Sequence, residues 1–291
     1  MTKTILVTGA TGTVSSTLIE QLTKSPSVSV RALVRSEANA TKLRAAGVTA
    51  VLGDLDDPDT LPSAFEGADE LWQLTPPGPR APENSMNALW AARSAGVKRV
   101  VRMSAIGAAY DAPTRNGRLH ALSDAELQAS GLRWTILRPH FFMQNLLGAA
   151  PAVASDGAIY MSLGQGRLGF VDTRDISDVA ARIFLEPGER HDGKLYTLTG
   201  PASLGLSQAA EQLSAVLGRS VRYVAVPDEA ARAAMLQMGL SPWLAAMTVE
   251  YGRAYAAGWG DFTTSHVSDV LGRAPRAFID FARDQWPRLP R

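Results

Sequence analysis

A short apolar run near the N-terminus, followed by a glycine turn, constrains the fold of this chain more than any other stretch. The run Ile5–Val7 is rich in β-branched residues and predicts a strand that is buried on both faces. Gly9 and Gly12 follow, and apolar residues then recur at helical spacing from Val14 to Leu22. A strand, a glycine turn and a helix in this order open a dinucleotide-binding βαβ unit, in which the backbone approaches a pyrophosphate at the helix N-terminus.

The third position of the glycine pattern holds Ser15 instead of glycine. This is the position at which the helix packs closely on the strand, and alanine is also accepted there. Serine adds a hydroxyl group, which we expect to bond back to a helix carbonyl. Two alternatives follow: either Ser15 is accommodated, or the helix stands away from the strand and cofactor binding is abolished.

The composition of the 291-residue chain excludes several classes of protein. Hydrophobic residues make up 46% and charged residues 20%, as is typical of a folded globular protein. The net charge of +1, without a basic stripe, predicts no nucleic-acid partner. Because there is no cysteine, disulfides, thiolate zinc sites and cysteine catalysis are excluded. No His/Asp/Glu cluster has metal-ligand spacing, so we predict no metal site.

The N-terminus and the apolar runs bear on location. The chain enters its first strand without a signal peptide, and no apolar run reaches the length of a membrane span. We therefore expect a cytoplasmic protein with no membrane partner, either a monomer or a homodimer.

Strand and helix patterns alternate regularly over the first half of the chain. This rhythm predicts an α/β fold with a Rossmann-type, doubly wound parallel sheet. Residues 1–150 are predicted to form the NAD(P)-binding domain. Residues 151–291 have fewer strands and a mainly helical pattern from Ser207 onward. We predict that they form a smaller C-terminal substrate cap, which lies over the C-terminal edge of the sheet and is fused rather than flexibly linked.

The end of the second predicted strand indicates which dinucleotide is bound. NAD sites usually carry an acidic residue there for the ribose 2′-hydroxyl, whereas NADP sites have an arginine nearby for the 2′-phosphate. This chain has Arg35 and Ser36, with no acid until Glu37. We therefore predict NADPH in preference to NADH. The alternative is that Arg35 is an exposed loop residue without a ligand.

Asp54 follows the third predicted strand, at the height of the sheet where an adenine ring would lie. An adenine contact is one interpretation. The other is an Asx turn or a cap for the next helix.

The acid–base pair that short-chain dehydrogenases commonly use, Tyr-x-x-x-Lys, is absent. None of the six tyrosines is followed by a lysine four residues later. Simple ketone–alcohol chemistry is therefore disfavoured.

Several segments together resemble the NmrA-like branch of the atypical short-chain dehydrogenases. They are Ile5–Gly12, Val30–Arg35, Gly53–Leu55, Ala95–Val101, Met103–Gly107, Ser130–Pro139 and Phe141–Asn145, followed more weakly by Val171–Ile176 and Gly272–Phe278. The family includes NAD(P)H-dependent quinone and azo reductases, triphenylmethane reductases and plant isoflavone reductases. It also includes fungal nitrogen regulators that bind the dinucleotide without evident chemistry.

The resemblance implies a set of cofactor contacts. These are Gly9, Thr11, Gly12, Thr13 and Val14 at the pyrophosphate, Arg35 at the 2′-phosphate, Asp54 and Leu55 at the adenine, and Leu74, Thr75 and Ser104 at the nicotinamide.

His120 occupies the place where plant members have a lysine, and triphenylmethane reductases resemble this chain in having a histidine there. Imidazole titrates near neutrality, so His120 is a candidate to donate a proton to a substrate that accepts hydride, or to bind the nicotinamide ribose. Asp124, one helical turn later, is expected to orient or charge it. The alternative is an exposed helix histidine with an i,i+4 ion pair.

Phe141, Phe142 and Trp243 are candidates to line a pocket for a flat aromatic substrate. The alternative is that they belong to the core of the cap. Phe141 and Phe142 directly follow the sixth predicted strand.

These observations lead to one main functional hypothesis, an NADPH-dependent reductase. It would transfer hydride to a conjugated or aromatic small molecule such as a quinone, enone, imine or azo compound. The alternative is a non-catalytic NAD(P)-sensing regulator that binds a protein partner. A third possibility, motivated by Ser15, is a family member that has lost the cofactor.

Overall fold

A computed structural model of the protein describes residues 2–288. The strands are β1 (Lys3–Val7), β2 (Val28–Val34), β3 (Thr49–Leu52), β4 (Glu70–Gln73), β5 (Arg99–Met103), β6 (Arg133–Pro139), β7 (Ala158–Met161), β8 (Arg167–Leu168), β9 (Lys194–Leu198), β10 (Leu204–Gly205) and β11 (Arg222–Ala225). The helices are α1 (Thr13–Leu22), α2 (Glu37–Ala45), α3 (Leu61–Phe65), α4 (Ala81–Ser94), α5 (Arg115–Ala129), α6 (Ala150–Asp156), α7 (Thr173–Leu185), α8 (Leu206–Leu217), α9 (Asp228–Gln237), α10 (Pro242–Ala256), α11 (His266–Leu271) and α12 (Phe278–Gln285).

The central sheet has seven strands in the order β3-β2-β1-β4-β5-β6-β9. All pairings that join β1 to β6 in this sheet are parallel. The strand order reverses between β1 and β4, which makes their carboxyl ends the topological switch point where open α/β sheets bind ligands. The predicted Rossmann-type, doubly wound fold is confirmed.

Burial explains why the first βαβ unit forms where the sequence predicts it. The side chains of Ile5, Leu6 and Val7 are fully buried in the centre of the sheet. Helix α1 buries the apolar stripe that includes Leu18 and Leu22. Strand and helix therefore share one core, which holds the intervening turn in place.

The chain forms two compact units, and their boundaries differ from the predicted boundary at residue 150. The first unit comprises residues up to Tyr110, Gly117–Arg138 and Ile176–Tyr196; the second comprises Asp111–Asn116, Pro139–Asp175 and the residues from Thr197 onward. Residues 176–196 belong to the first unit because α7 is bonded to α1, where the Ser177 hydroxyl donates to the carbonyl of Val14 over 2.9 Å. Strand β9, which follows, extends the central sheet beside β6.

The second unit has its own apolar core. It contains two small sheets, the antiparallel pair β10-β8 and the parallel pair β11-β7. Helices α8 and α12 pack around buried side chains that include Phe170, Leu213 and Phe281. Strand β11 lies within the region that the sequence predicts to be mainly helical, and it was not predicted.

Residues 2–288 contain neither a membrane-spanning helix nor a metal-binding cluster. In this range no helix is both long enough and apolar enough to cross a bilayer. Over the same residues no three or more His, Asp or Glu side chains are grouped so that they could hold a metal ion.

Ser15 ties helix α1 to two strands of the sheet. Its fully buried hydroxyl donates to the carbonyl of Thr8 over 3.1 Å. It also accepts a hydrogen bond of 2.9 Å from the indole nitrogen of Trp72 on β4. The expectation that this hydroxyl bonds back to a helix carbonyl is wrong, because it bonds instead to the carbonyl of Thr8, directly after β1. The third glycine position is therefore filled by a side chain that bonds helix to sheet.

Replacing Ser15 with alanine tests this role. The variant Ser15→Ala leaves the Trp72 indole N–H buried without an acceptor, so we expect the free energy of unfolding to fall by roughly 1–3 kcal/mol. Urea unfolding measures the change. The control Ser16→Ala removes an exposed hydroxyl that bonds only to the carbonyl of Thr13, and we expect it to be close to neutral. Equal losses in the two variants would contradict the assignment.

Candidate functional site

The glycine turn after β1 has the geometry of a phosphate cradle. Gly9 has a φ of +60°, and a Cβ placed on it would lie 2.8 Å from the Cδ2 atom of Leu74. Gly12 is the N-cap of α1 and offers no side chain to the first turn of the helix. The amide groups of that turn have no acceptor within the helix, which makes them available to an anion.

A cavity of about 390 Å³ lies at the carboxyl ends of β1 to β4. Its lining includes Thr8–Thr11 after β1, Arg35 and Asn39 after β2, Gly53–Asp56 after β3, and Leu74, Pro76–Ala81 and Asn84 after β4. The predicted cofactor residues in this lining are Gly9, Thr11, Arg35, Asp54, Leu55 and Leu74. The predicted residues outside the lining are Gly12, Thr13, Val14, Thr75, Ser104 and His120. The cavity thus brings together the residues expected at the adenine end and at the glycine turn.

Arg35 is exposed at the cavity wall. It forms no hydrogen bond or ion pair with any residue of the described range 2–288. Its neighbour Ser36 caps α2 by accepting a hydrogen bond from the amide of Asn39. An unpaired guanidinium beside a cavity presents a planar set of donors that matches a phosphate group.

Asp54 does form the Asx turn that was one of its two interpretations. Its Oδ1 atom accepts a hydrogen bond of 3.0 Å from the amide of Asp56. The residue also lines the cavity. The Asx turn is therefore compatible with an adenine contact by Asp54. The carbonyl of the buried Leu55 is held by the side-chain amide of Asn87 over 2.8 Å, which fixes the loop after β3.

Three buried polar atoms near the end of β4 lack a partner among the described residues. They are the Oε1 atom of Gln73, the Oγ1 atom of Thr75 and the Oδ1 atom of Asn84. Asn84 lines the cavity, and Thr75 stands between two lining residues. Buried polar atoms are rarely left unpaired, so this group indicates a place where a polar ligand completes the hydrogen bonding.

A buried ionic network lies behind the ends of β5 and β6. The carboxylate of Asp124 accepts hydrogen bonds from Arg102 over 3.0 Å, from Ser104 over 2.8 Å and from Arg138 over 2.9 Å. Arg102 also donates to the Nδ1 atom of His120 over 3.2 Å. The expectation that Asp124 orients His120 directly is wrong, because the two arginines and Ser104 hold that carboxylate.

His120 is half-buried, and its surroundings disfavour a proton on the ring. Desolvation, followed by the positive charges of Arg102 and Arg138, lowers the pKa of His120 from 6.5 to about 3. The expectation that this imidazole titrates near neutrality is therefore wrong. At physiological pH the ring is neutral.

The three predicted pocket residues lie in the second unit, where each is half-buried. Phe141 makes an edge-to-face contact with Phe170, with 5.5 Å between ring centroids. The backbone of Phe142 forms a parallel β-bridge with Val171, which lies three residues after β8. Trp243 lies under the guanidinium of Arg115, 5.9 Å from its ring centroid. The role of the three residues in substrate binding stays a prediction.

His140, which follows β6, is a structural residue with both ring nitrogens satisfied. Its Nδ1 atom accepts a hydrogen bond of 2.7 Å from the amide of Phe141, so the proton sits on Nε2, which faces the carbonyl of Gly260 at 3.0 Å. Burial lowers the pKa of His140 from 6.5 to about 4.

This pKa predicts a loss of stability in acid. Between pH 6.5 and pH 4 the unfolded chain takes up a proton at His140 that the folded protein does not, so the free energy of unfolding falls as the pH falls. From pH 7 to pH 5 we expect His140 to contribute a loss of about 2 kcal/mol. Urea unfolding of wild type and His140→Gln at both pH values measures it. The variant should lose correspondingly less on acidification; an identical loss would refute the assignment.

Some lining residues were missed by the sequence analysis. They are Asn39, Asn84 and the segment Pro76–Arg80. The run of prolines directly after the fourth predicted strand was a usable signal, because loops at that edge of the sheet form ligand sites. The ion pair between Arg80 and Asp56, with 3.2 Å between Nη1 and Oδ1, was not visible in the sequence spacing.

The strand order, the glycine turn and the cavity at the switch point define a Rossmann-type nucleotide-binding fold. The model of the NmrA-like family matches residues 1–271, and the chain belongs to this family. The resemblance seen in the sequence is confirmed.

Named relatives align over most of the chain. The NAD(P)H azoreductase of Xenophilus azovorans is 41% identical over 283 residues, which cover 96% of each protein. Quinone oxidoreductase 2 of Escherichia coli K12 is 33% identical over 249 residues, which cover 84% of this chain and 86% of the relative. The solved structure of the NADPH-dependent E. coli quinone oxidoreductase in complex with NADPH superposes with a TM-score of 0.86 at 29% identity, covering 96% of this chain and 99% of that structure.

Proposed function

We propose that the protein is an NADPH-dependent reductase that transfers hydride to a conjugated or aromatic acceptor of the quinone or azo type. The observation that carries the cofactor half of this proposal is the unpaired guanidinium of Arg35 at a cavity that begins at the Gly9 turn. The acceptor half is supported by the relatives, whose names describe an azoreductase and a quinone oxidoreductase.

Residues of the chain itself support a dinucleotide at this cavity. The pyrophosphate would lie against Gly9, Thr11 and Gly12 and the amide groups of Thr13 and Val14 at the start of α1. The amide of Gly12 itself donates to the carbonyl of Gly9 over 2.9 Å, which closes the turn. Any side chain at Gly9 would compete for space with Leu74, which accounts for the glycine at this position. The preference for NADPH over NADH rests on Arg35, which would hold the 2′-phosphate.

The remaining proposed cofactor contacts lie at the adenine and at the nicotinamide. Asp54 and Leu55 would flank the adenine, and Leu74, Thr75 and Ser104 would lie at the nicotinamide. The unpaired Oγ1 atom of Thr75 supports this placement. NADPH, when bound, supplies the hydride. The protein contributes binding, orientation and hydrogen bonding around the reacting groups.

The proposed substrate binding depends on apolar contacts between aromatic side chains and the acceptor. The half-buried Phe141, Phe142 and Trp243 would contact a flat aromatic acceptor. A conjugated acceptor spreads the charge that hydride brings, and this lowers the need for a strong acid such as the absent Tyr-Lys pair.

One assay separates this function from its alternatives. Purified protein is mixed with NADPH or NADH and a panel of quinones, azo dyes, enones and triphenylmethane dyes, and the cofactor absorbance band is followed. We expect acceptor-dependent oxidation that is faster with NADPH than with NADH. NADPH binding by fluorescence titration without turnover on any acceptor would favour the regulator, and absence of binding would indicate a member that has lost the cofactor.

A further inference from the structure

The contact between Arg102 and His120 determines which nitrogen of the imidazole carries the proton. A guanidinium can only donate hydrogen bonds. The Nδ1 atom of His120, 3.2 Å from a guanidinium nitrogen of Arg102, must therefore be the acceptor. In the neutral ring the proton then sits on Nε2. This N–H has no acceptor among the residues of the described range 2–288.

The charges that face His120 come from three elements. Arg102 belongs to β5, Arg138 to β6, and Asp124 lies one turn further along α5 itself. Asp124 is bonded to both arginines, so two guanidinium groups share one carboxylate. Glu126, also on α5, adds a more distant negative charge that acts on Arg102. A proton on His120 would add a third positive charge to this largely buried cluster.

The network also has a defined place in the fold. Arg102 is the penultimate residue of β5, and Ser104 directly follows that strand. Strand β5 pairs with β4, whose carboxyl end leads to the cavity residue Leu74. The carboxyl ends of adjacent parallel strands meet at the same sheet edge, so His120 is anchored at the edge where the proposed cofactor binds.

We propose that Arg102 is a positioning residue that holds His120 as a neutral imidazole with its proton on Nε2, so that His120 serves the reaction as a hydrogen-bond donor and not as an acid. This inference rests on the proposed reductase function for its catalytic consequence. The protonation state itself does not depend on that function.

The chemistry balances without an acidic histidine. Hydride transfer to a quinone adds two electrons and one hydrogen and leaves a hydroquinone monoanion. The Nε2–H group of His120 donates a hydrogen bond to the negative oxygen and stabilises the charge that develops there. Nε2 keeps its proton, because its loss would create an imidazolate. Water gives a proton to the monoanion to complete the hydroquinone, and the hydroxide that remains passes to the solvent.

Nuclear magnetic resonance tests the protonation state directly. In ¹⁵N-labelled protein, long-range proton–nitrogen spectra distinguish protonated from unprotonated ring nitrogens, and the spectrum of His120→Gln identifies the signals of His120. We expect an unprotonated Nδ1 and a protonated Nε2 that persist unchanged from pH 8 to pH 5. A proton on Nδ1, or titration of His120 near its ordinary value, would overturn the inference even if the protein proves to be an active reductase.

The variant Arg102→Met tests the cause. It removes the donor and its charge while Asp124 keeps Arg138 and Ser104. Burial and the charge of Arg138 remain in this variant, so we expect the pKa of His120 to rise but to stay below its ordinary value, and the acid limb of the kcat profile to shift in the same direction. Without the Arg102 donor at Nδ1, we expect both neutral tautomers of His120 to appear in the spectra. We also expect kcat at pH 8 to fall about ten-fold with little change in the KM for NADPH. An unchanged His120 spectrum and pH profile would refute the role of Arg102.

A second variant controls for the loss of a buried arginine as such. Arg99, at the start of β5, is also buried and pairs with Glu70 over 3.0 Å. Arg99→Met should lower stability without changing the His120 signals. If Arg102→Met does not fold, the wild-type spectra still decide the proposal, and the conservative Arg102→Lys, which keeps the charge, should retain a neutral His120.

Discussion

Replacing Gly9 with alanine is expected to weaken NADPH binding by roughly 10-fold while the protein remains folded. Gly9 adopts a φ of +60°, which costs any other residue about 1–2 kcal/mol. A Cβ at this position would also lie 2.8 Å from the Cδ2 atom of Leu74, closer than carbon atoms approach. Isothermal titration with NADPH measures the effect.

The loss of affinity follows from how the chain can relieve this strain. The Cδ2 atom of Leu74 is the end of a flexible side chain and can shift, but the φ of +60° at position 9 stays strained for alanine. The turn is therefore expected to relax to another backbone conformation at the wall of the cavity that it lines. A displaced turn misaligns the backbone with the pyrophosphate, and cofactor binding would have to restore the strained geometry.

Gly96→Ala is the matched control. Gly96 has a φ of +75°, so its backbone penalty is comparable, but a Cβ there would meet no atom within 4 Å. The residue follows α4 at the edge of the sheet opposite the cavity. We expect both variants to lose stability and only Gly9→Ala to lose affinity. Comparable affinity in the two variants would contradict the position of the pyrophosphate.

The sequence predicted the central sheet well because its signals are local. Strands β2 and β3 are short runs rich in β-branched and other apolar residues and are followed by polar turns. Their bounds, Val28–Val34 and Thr49–Leu52, are the ones that the sequence predicts. The Gly9 turn was equally local. The domain boundary was harder to predict, because α7 bonds to α1 and β9 joins the sheet beside β6, and both contacts are distant in sequence.

The site around His120 shows where spacing is misleading. Asp124 lies one helical turn after His120, and an i,i+4 pair was the natural inference from the helix alone. In the structure, Arg102 and Arg138 come from neighbouring strands and bind Asp124 instead. Residues of neighbouring strands that contact one helix residue leave no periodic pattern in the sequence. Neither the network nor its effect on the pKa of His120 was therefore predictable.

Ser15 was the main sequence-based doubt about cofactor binding, and its surroundings weaken that doubt. The hydroxyl bonds both Thr8 and Trp72, so the helix is tied to the sheet rather than held away from it. A tryptophan on the fourth strand was visible in the sequence, but its indole orientation was not. A serine at the third position of the glycine pattern therefore does not by itself predict the loss of cofactor binding.

Arg35→Ala is expected to reverse the proposed cofactor preference. Its guanidinium has no partner in the range 2–288, so its removal breaks no intramolecular bond and stability should change little. If Arg35 holds the 2′-phosphate, the variant loses charge-assisted hydrogen bonds, and NADPH affinity should fall roughly 10- to 100-fold. NADH lacks that phosphate, so its affinity should stay within about two-fold. Titrations of both cofactors against wild type and variant give the four constants.

The control for this substitution is Arg93→Ala, which removes the same charge from the exposed surface of α4, outside the cofactor cavity. A long-range effect of net charge would weaken NADPH binding in both variants and would fade as salt is added. A direct contact predicts a loss confined to Arg35→Ala and to NADPH. Equal losses of NADPH and NADH in Arg35→Ala would refute the 2′-phosphate assignment, because they would place the guanidinium against a part common to both cofactors.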